Sequence, residues 1–350
     1  MTRETTTTLD HRSLKGSSGL MEGLDIPSLM ADAKLADVSL ALVRGGEIVT
    51  LEAHGYADYA ARTPVRTSTV FGAASLGKPV FAYAVLKLVD AGLLDLDEPL
   101  HHLAPGFVGG DVRASTVTAR HVLSHTTGFP NWRSAERPLR CHFVPGSRFS
   151  YSGEGYVFLQ LAVERLTGEP LEALARRLIF EPLGMNRSSY DGAITLGADV
   201  AVPHDQAGAP LPKAWLKPNA ASSLHTTAED YARFLRAVLK GDGLSASLAQ
   251  QWLRPNRRTP VPFFAALDPL GKPQLHPTVA WGLGWGLEGD SGVFFHWGSN
   301  PGFKSFVLGS VPDRSALVVL STGATELALG PALAAALLPG PRPCMDWFAA

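Results

Sequence analysis

Strand-forming texture occupies the two ends of this chain and is sparse in its middle, and this constrains the fold more than any other feature. A lead (1–23) that reads as disordered is followed by a short helix through Leu29, Met30 and Leu35. Then Val38-Ser-Leu-Ala-Leu-Val43, the turn Arg44-Gly45-Gly46-Glu47 and Ile48-Val-Thr-Leu51 form a hairpin signature, which a further extended piece from Ala53 to Tyr59 continues. Toward the other end, four short β-branched or aromatic runs follow one another: Trp281–Leu287, Val293–His296, Phe303–Val311 and Ala316–Thr322. Neither group has enough strands to stand as a sheet alone, so the two are expected to pair. An apolar helix over about Glu326–Leu338, before a Pro-rich tail, would cover the result.

The middle reads as helices joined by Pro- and Gly-rich loops: Arg120–His125, Gly153–Leu166, Leu171–Phe180 and Thr227–Leu239. Pro255–Pro277 has the least pattern. The expected fold class is α+β, an antiparallel sheet of N- and C-terminal strands flanked by helices, with an inserted, mainly α-helical domain. The expected boundaries are 24–96 and 278–350 for the sheet domain and 97–277 for the helical one. A cleft between them is the default pocket.

Composition excludes several classes of function. With 31 basic and 32 acidic residues, a net charge of -1 and no long charge runs, nothing recommends nucleic acid or an anionic membrane as a partner. Two distant cysteines, Cys141 and Cys344, imply free thiols rather than a disulfide framework or zinc knuckle. Residues 1–23 lack the apolar core of a signal peptide, and no run of 18 apolar residues occurs, so a cytoplasmic location is expected.

The chemistry-bearing residues begin with Phe71-Gly-Ala-Ala-Ser75-Leu-Gly-Lys78, which leads into a helical pattern through Val80, Phe81, Ala84, Val85, Leu88 and Val89 that stops at Gly92. Ser75 and Lys78 are one turn apart, so the amine can reach the hydroxyl. A lysine can take the serine proton only when neutral, and burial against an apolar helix face would make it so. By itself the pattern is more often an N-cap serine with a solvated first-turn lysine than a catalytic pair. A second candidate is Tyr151 in Phe149-Ser-Tyr-Ser-Gly153, at a loop-to-helix junction, whose phenolate a nearby cation such as Lys78 would stabilise. The third is Phe295-His296-Trp297-Gly298-Ser299-Asn300 at a strand end. There the N–H of Ser299 would pair with that of Ser75 as an oxyanion hole, and His296 would add a positive or hydrogen-bonding edge.

Other patterns fall away. His121 and His125 have the i, i+4 spacing of a zinc pair, but no Glu follows His121; His125 is expected to anchor the Thr126-Thr-Gly128 turn. Gly282, Gly284 and Gly286 alternate along a strand and form neither a phosphate loop nor a dinucleotide fingerprint, so no cofactor or metal is implied. Gly-x-Ser-x-Gly is absent, which argues against an α/β-hydrolase.

In the order Ser75-x-x-Lys78, Tyr151-Ser152-Gly153, His296-Trp297-Gly298, the chain resembles the penicillin-recognising serine enzymes. The connecting text is similar to the class C β-lactamases and their esterase and D-aminopeptidase relatives: Asp95-Leu-Asp-Glu-Pro-Leu100, His121-Val-Leu-Ser-His-Thr-Thr-Gly128, Pro145-Gly-Ser-Arg-Phe-Ser-Tyr151, Phe180-Glu-Pro-Leu-Gly-Met185 and Thr226-Thr-Ala-Glu-Asp230. The resemblance implies that Ser75 attacks a carbonyl to form an acyl-enzyme while Lys78 and Tyr151 share the proton transfers, with His296, Trp297, Gly298, Ser299 and Gly153 lining the substrate site. Two departures bear on substrate. The β-lactamases carry Asn where this chain has Gly153, and Lys where it has His296. Losing an amide donor and a cation should weaken recognition of an anionic β-lactam by a few kcal/mol, on the order of two charge-assisted contacts. The expected substrate is therefore a small ester, with D-amino-acid peptides or amides next and β-lactams third. An acyltransferase, or a penicillin sensor that acylates without turnover, is the alternative.

Overall fold

The computed structural model describes residues 25–32, 35–192, 199–205, 209–212, 217–256, 278–323 and 329–349. The lead (1–23), the segment 257–277 and the expected helix start at Glu326 lie outside them.

Ten strands and ten α-helices are described. β1 (Asp37–Arg44) and β2 (Glu47–Asp58) follow α1 (Ile26–Asp32); β3 (Thr63–Pro64) and β4 (Phe71–Ala74) lead to α2 (Gly77–Asp90). The middle holds α3 (Ala119–Leu123), α4 (Gly153–Thr167), α5 (Leu171–Ala175), α6 (Glu181–Leu183), β5 (Leu224–Thr226), α7 (Ala228–Lys240) and α8 (Ala246–Trp252). The chain ends with β6 (Val279–Trp281), β7 (Gly286–Glu288), β8 (Val293–Asn300), β9 (Phe303–Ser310), β10 (Ser315–Thr322), α9 (Gly330–Leu337) and α10 (Pro343–Ala349).

The terminal strands pair as expected, in one antiparallel sheet of order β3-β2-β1-β10-β9-β8-β7-β6. β1 joins the two groups by lying against β10, Leu40 opposite Val319. Because side chains alternate across a sheet, each central strand feeds two cores. Ala41, Val43, Val307, Val318 and Leu320 face one, which α2, α4 and α7 complete. Leu40, Leu42, Phe306, Leu308, Leu317 and Val319 face the other, completed by α1, α9 and α10. A sheet covered on both faces explains why these strands read as continuous apolar runs.

Asp37 fastens the β1–β10 seam: fully buried, its carboxylate accepts hydrogen bonds from the Thr322 amide (2.7 Å) and hydroxyl. Burial lifts its pKa to about 6, against the pull of those two bonds. The native state therefore prefers the protonated acid, and the stability this group contributes below pH 3.8 is lost as pH rises through 6. Asp37→Asn should accordingly raise the melting temperature at pH 8, by about 1–3 kcal/mol of stability, and the gain should shrink toward zero near pH 4.

Several local expectations are corrected. The Ala53–Tyr59 piece is the second half of one long strand, β2. The run Trp281–Leu287 is two strands joined by a tight turn, in which Gly282 N donates to Trp285 O at 2.8 Å and Gly284 has φ +99°. A glycine is required at 284 because a Cβ would also lie 2.6 Å from that of Ala82 in α2. The Pro-rich tail folds as α10, where Pro343 occupies the start of the helix and Trp347 is buried against Phe295 and Trp297. A two-stranded sheet, β4 with β5, has no counterpart in the sequence reading.

Candidate active site

β4 ends at Ala74, whose φ of +50° is unusual for a residue with a Cβ, and the chain turns sharply into α2 through Ser75 and Leu76. Such a conformation costs on the order of 1–3 kcal/mol and is held only where its surroundings enforce it. Here the Ala73 carbonyl accepts from Ser305 Oγ (2.9 Å), Leu76 O from Tyr231 Oη (3.0 Å) and Gly77 O from Tyr190 Oη (2.5 Å). Ser75 thus stands in the turn just before the helix, and Lys78 in its first turn.

Lys78 is 1% exposed. Its Nζ lies 3.0 Å from Ser75 Oγ and donates to Ala221 O at 2.7 Å; Ser75 Oγ is itself 3.3 Å from Ala221 O. Among the described residues no carboxylate offsets the cost of burying the charge, and desolvation drives the amine's pKa well below 10.5. Burial thus favours the neutral form of the amine that faces the serine. Lys78 Nζ sits 4.8 Å from the centre of the Tyr151 ring and 5.6 Å from that of Tyr156.

Tyr151 arrives from the segment before α4, and burial raises its pKa while the neighbouring Ser75 hydroxyl opposes the shift. It is a phenol at neutral pH. Burial works against both halves of the expected phenolate–ammonium pairing, raising the phenol's pKa and lowering the amine's. The Tyr151 ring is fixed on three sides, by His125 (4.2 Å between ring centres), Trp297 (5.2 Å) and Trp281 (6.2 Å).

β8 supplies the strand edge. A Cβ at Gly298 would fall 2.3 Å from both Ala73 O and Ser305 Oγ and 3.1 Å from Ser75 N, so the backbone before Ser299 lies directly against the backbone that carries Ser75. Gly298→Ala must push the two apart. The expected result is a fall in kcat of about 10²-fold, as for loss of one oxyanion donor, measured beside an unfolding curve that separates it from a stability defect. The Ser299 hydroxyl accepts from Lys304 Nζ at 2.6 Å, and Asn300 Nδ2 donates to Ser222 O, tying β8 to the loop that carries Ala221.

Of the two roles expected of His296, a positive edge or a hydrogen-bonding one, its surroundings favour the second. It is fully buried, its Nδ1 is 2.8 Å from Trp297 O, and burial followed by the nearby Lys78 lowers its pKa to about 3, so it contributes no positive charge. Trp297 is only 7% exposed and packs against Trp347 and Phe348 of α10, so its ring supports Tyr151 rather than lining an opening. Gly153 begins α4, where its N–H meets Asn131 Oδ1 at 2.9 Å.

His125, expected only to anchor its turn, also belongs with this cluster. Its φ of +54° turns the ring inward, where Nδ1 accepts from Ser152 N (3.0 Å) and both Lys78 and His296 add to the burial that lowers its pKa. His121 instead closes a capping box with Thr118. Among the described residues, His125 Nε2, His296 Nε2, Tyr151 Oη and Tyr156 Oη are buried without a hydrogen-bond partner. Such orphans are rare enough to ask for a functional explanation. A buried amine against a serine hydroxyl, with a phenol beside them and a strand edge opposite, can support acyl transfer.

Comparison with known proteins identifies the family of the fold. The Beta-lactamase family profile matches residues 25–339, and the chain belongs to that family. It is 24% identical over 317 residues to penicillin-binding protein 4* of Bacillus subtilis, covering 79% of this chain and 66% of that one. It is 34% identical over 196 residues to the esterase EstB of Burkholderia gladioli, covering 47% and 49%. The chain thus spans about half to two thirds of these relatives. Among solved structures, a penicillin-binding protein from Bacillus halodurans has a TM-score of 0.73 at 24% identity, with 89% of this chain and 98% of that one covered. The D-alanine carboxypeptidase AmpC of Burkholderia cenocepacia has the same TM-score at 17% identity, covering 91% and 96%. The mixed helix and antiparallel-sheet fold is that of this family. Among the described residues, no helix is long and apolar enough to cross a membrane.

Proposed function

We propose that this protein is a serine hydrolase that cleaves carboxylic esters through an acyl-enzyme on Ser75. Lys78 Nζ takes the Ser75 proton as Oγ attacks the carbonyl; the carbonyl oxygen, now negative, is held by the amides of Ser75 and Ser299. Collapse of this intermediate breaks the bond to the leaving alcohol, whose oxygen takes a proton from Tyr151, and Tyr151 recovers one from Lys78. Water then repeats the sequence on the acyl-enzyme, releasing the acid and restoring the Ser75 hydroxyl. The observation that carries this reading is the Lys78 amine, 1% exposed and 3.0 Å from Ser75 Oγ, whose burial favours the neutral form that a base must have.

Esters are favoured over β-lactams by what stands at two positions: Gly153 offers no amide side chain and His296 no charge. Similarity to an esterase supports the same choice. D-amino-acid amides and peptides are the second class, in keeping with the carboxypeptidase fold relative. The test is a panel of p-nitrophenyl esters, D-amino-acid amides and a chromogenic cephalosporin, with intact mass measured after a fluorophosphonate probe. Ester turnover with a single adduct on Ser75 is expected. A persistent adduct without product would identify a sensor, and product diverted to an added alcohol would identify an acyltransferase. Tyr151→Phe should lower kcat by about 10²–10⁴-fold on alkyl esters, whose leaving groups need a proton, and by less on p-nitrophenyl esters, whose leaving groups do not.

A further inference from the structure

Gly153 is more than the loss of a side chain, because something else fills its place. A Cβ built there would lie 2.7 Å from Cη2 and Cζ2 of Trp132, so the indole rests directly on the glycine. Trp132 is nevertheless 45% exposed, an unusual state for the largest apolar side chain. It is also held firmly. Ser152 Oγ donates to Pro130 O (2.8 Å), and the amides of Gly153 and Glu154 donate to Asn131 O (3.1 and 3.0 Å). The Gly153 amide also meets Asn131 Oδ1 (2.9 Å). On the other flank, the Arg133 amide donates to Glu154 Oε1 (3.0 Å) and its guanidinium grips both carboxylate oxygens (2.8 and 2.6 Å). Residues on both sides of Trp132 are therefore stapled to the start of α4, the Glu154 carboxylate being almost wholly buried.

Gly153 is two residues beyond Tyr151, so their Cα atoms are at most about 7 Å apart. The indole on Gly153 therefore sits beside the segment that carries Tyr151, whose ring centre is 4.8 Å from Lys78 Nζ. A half-exposed aromatic face on a backbone held on both sides and backed by Gly153 is a surface that can bind an apolar group with little reorganisation. We propose that Trp132 is a specificity-determining residue, its exposed face binding an apolar alkyl or aryl group of the substrate. The proposal rests on the ester-hydrolase reading and adds a substrate class to it.

The apolar group can belong to the acid or to the alcohol, and two series separate them: p-nitrophenyl acetate, butyrate and hexanoate vary the acid, and ethyl, butyl and benzyl acetate vary the alcohol. For wild type, kcat/KM should rise by about tenfold along one series, the range that one or two methylenes in an apolar pocket supply. Trp132→Ala should flatten that rise while leaving the shortest ester within about threefold of wild type. Trp132→Phe should retain most of the rise, and Trp132→Gln, which fills space without apolar area, should not. Circular dichroism verifies that each variant folds. An equal loss on every ester in both series, or a wild type with no chain-length preference, would overturn the role of Trp132 while leaving the hydrolase reading intact. A protein inert toward all six esters would overturn both.

Discussion

Ser75→Ala is expected to reduce kcat/KM for p-nitrophenyl acetate by about 10⁴-fold or more, the range lost when the nucleophile of a serine hydrolase is removed. It should also abolish the fluorophosphonate adduct. The fold should survive intact. Ser75 Oγ contributes its contacts with Lys78 Nζ and Ala221 O beside the Tyr151 hydroxyl, and Lys78 keeps its bond to Ala221 O when the Ser75 hydroxyl is gone. The expected change in stability is therefore within about 1 kcal/mol, the net worth of one such bond. Activity persisting in a folded Ser75→Ala protein would leave Lys78 with no proton to take, and the mechanism would fall with it.

What the sequence made legible follows from periodicity and local chemistry. The two strand groups could be read because alternation and β-branched runs are local, and their pairing followed from the instability of small sheets. The Ser-x-x-Lys turn was readable because three-residue spacing on a helix is a local rule. Long-range approach was not readable. That Gly298 presses on Ala73, or that Gly153 seats Trp132, depends on segments that meet only in the folded chain. β5 escaped notice because three residues, Leu224–Thr226, carry no period, and β4 because it merges into the helix pattern after it. The Trp281–Leu287 turn was hidden by its flanking aromatics, which suit a strand whether or not Gly284 breaks it.

His125 illustrates a different limit. Its spacing from His121 drew attention to metal chemistry, whereas its position depends on a left-handed backbone conformation that no property of histidine announces. A non-glycine residue at positive φ occurs at Ala74 as well, so two of the four in the described chain lie at this site. Strain held at both the serine turn and the tyrosine's neighbour is consistent with a cluster organised for chemistry at some cost in stability.

Lys78→Met separates those two demands. The thioether chain approximates the lysine's length but cannot accept a proton, so kcat on p-nitrophenyl acetate should fall by about 10³-fold or more, as general-base removal and loss of nucleophile alignment combine. Stability should move the other way. Because burial holds the lysine's pKa well below 10.5, the unfolded chain binds a proton there that the native protein excludes. Wild-type stability therefore rises with pH from the native pKa up to 10.5. Lys78→Met has no such dependence, so its melting temperature should exceed that of wild type near neutrality, and the gap should narrow as pH approaches 10.5. Wild-type kcat/KM should rise through the native pKa of Lys78, reach a plateau well below pH 10.5, and fall only where Tyr151, raised above 10 by burial, ionises. A rate that keeps climbing past pH 10 would instead assign proton abstraction to the Tyr151 phenolate, and Lys78→Met would then retain most of its activity.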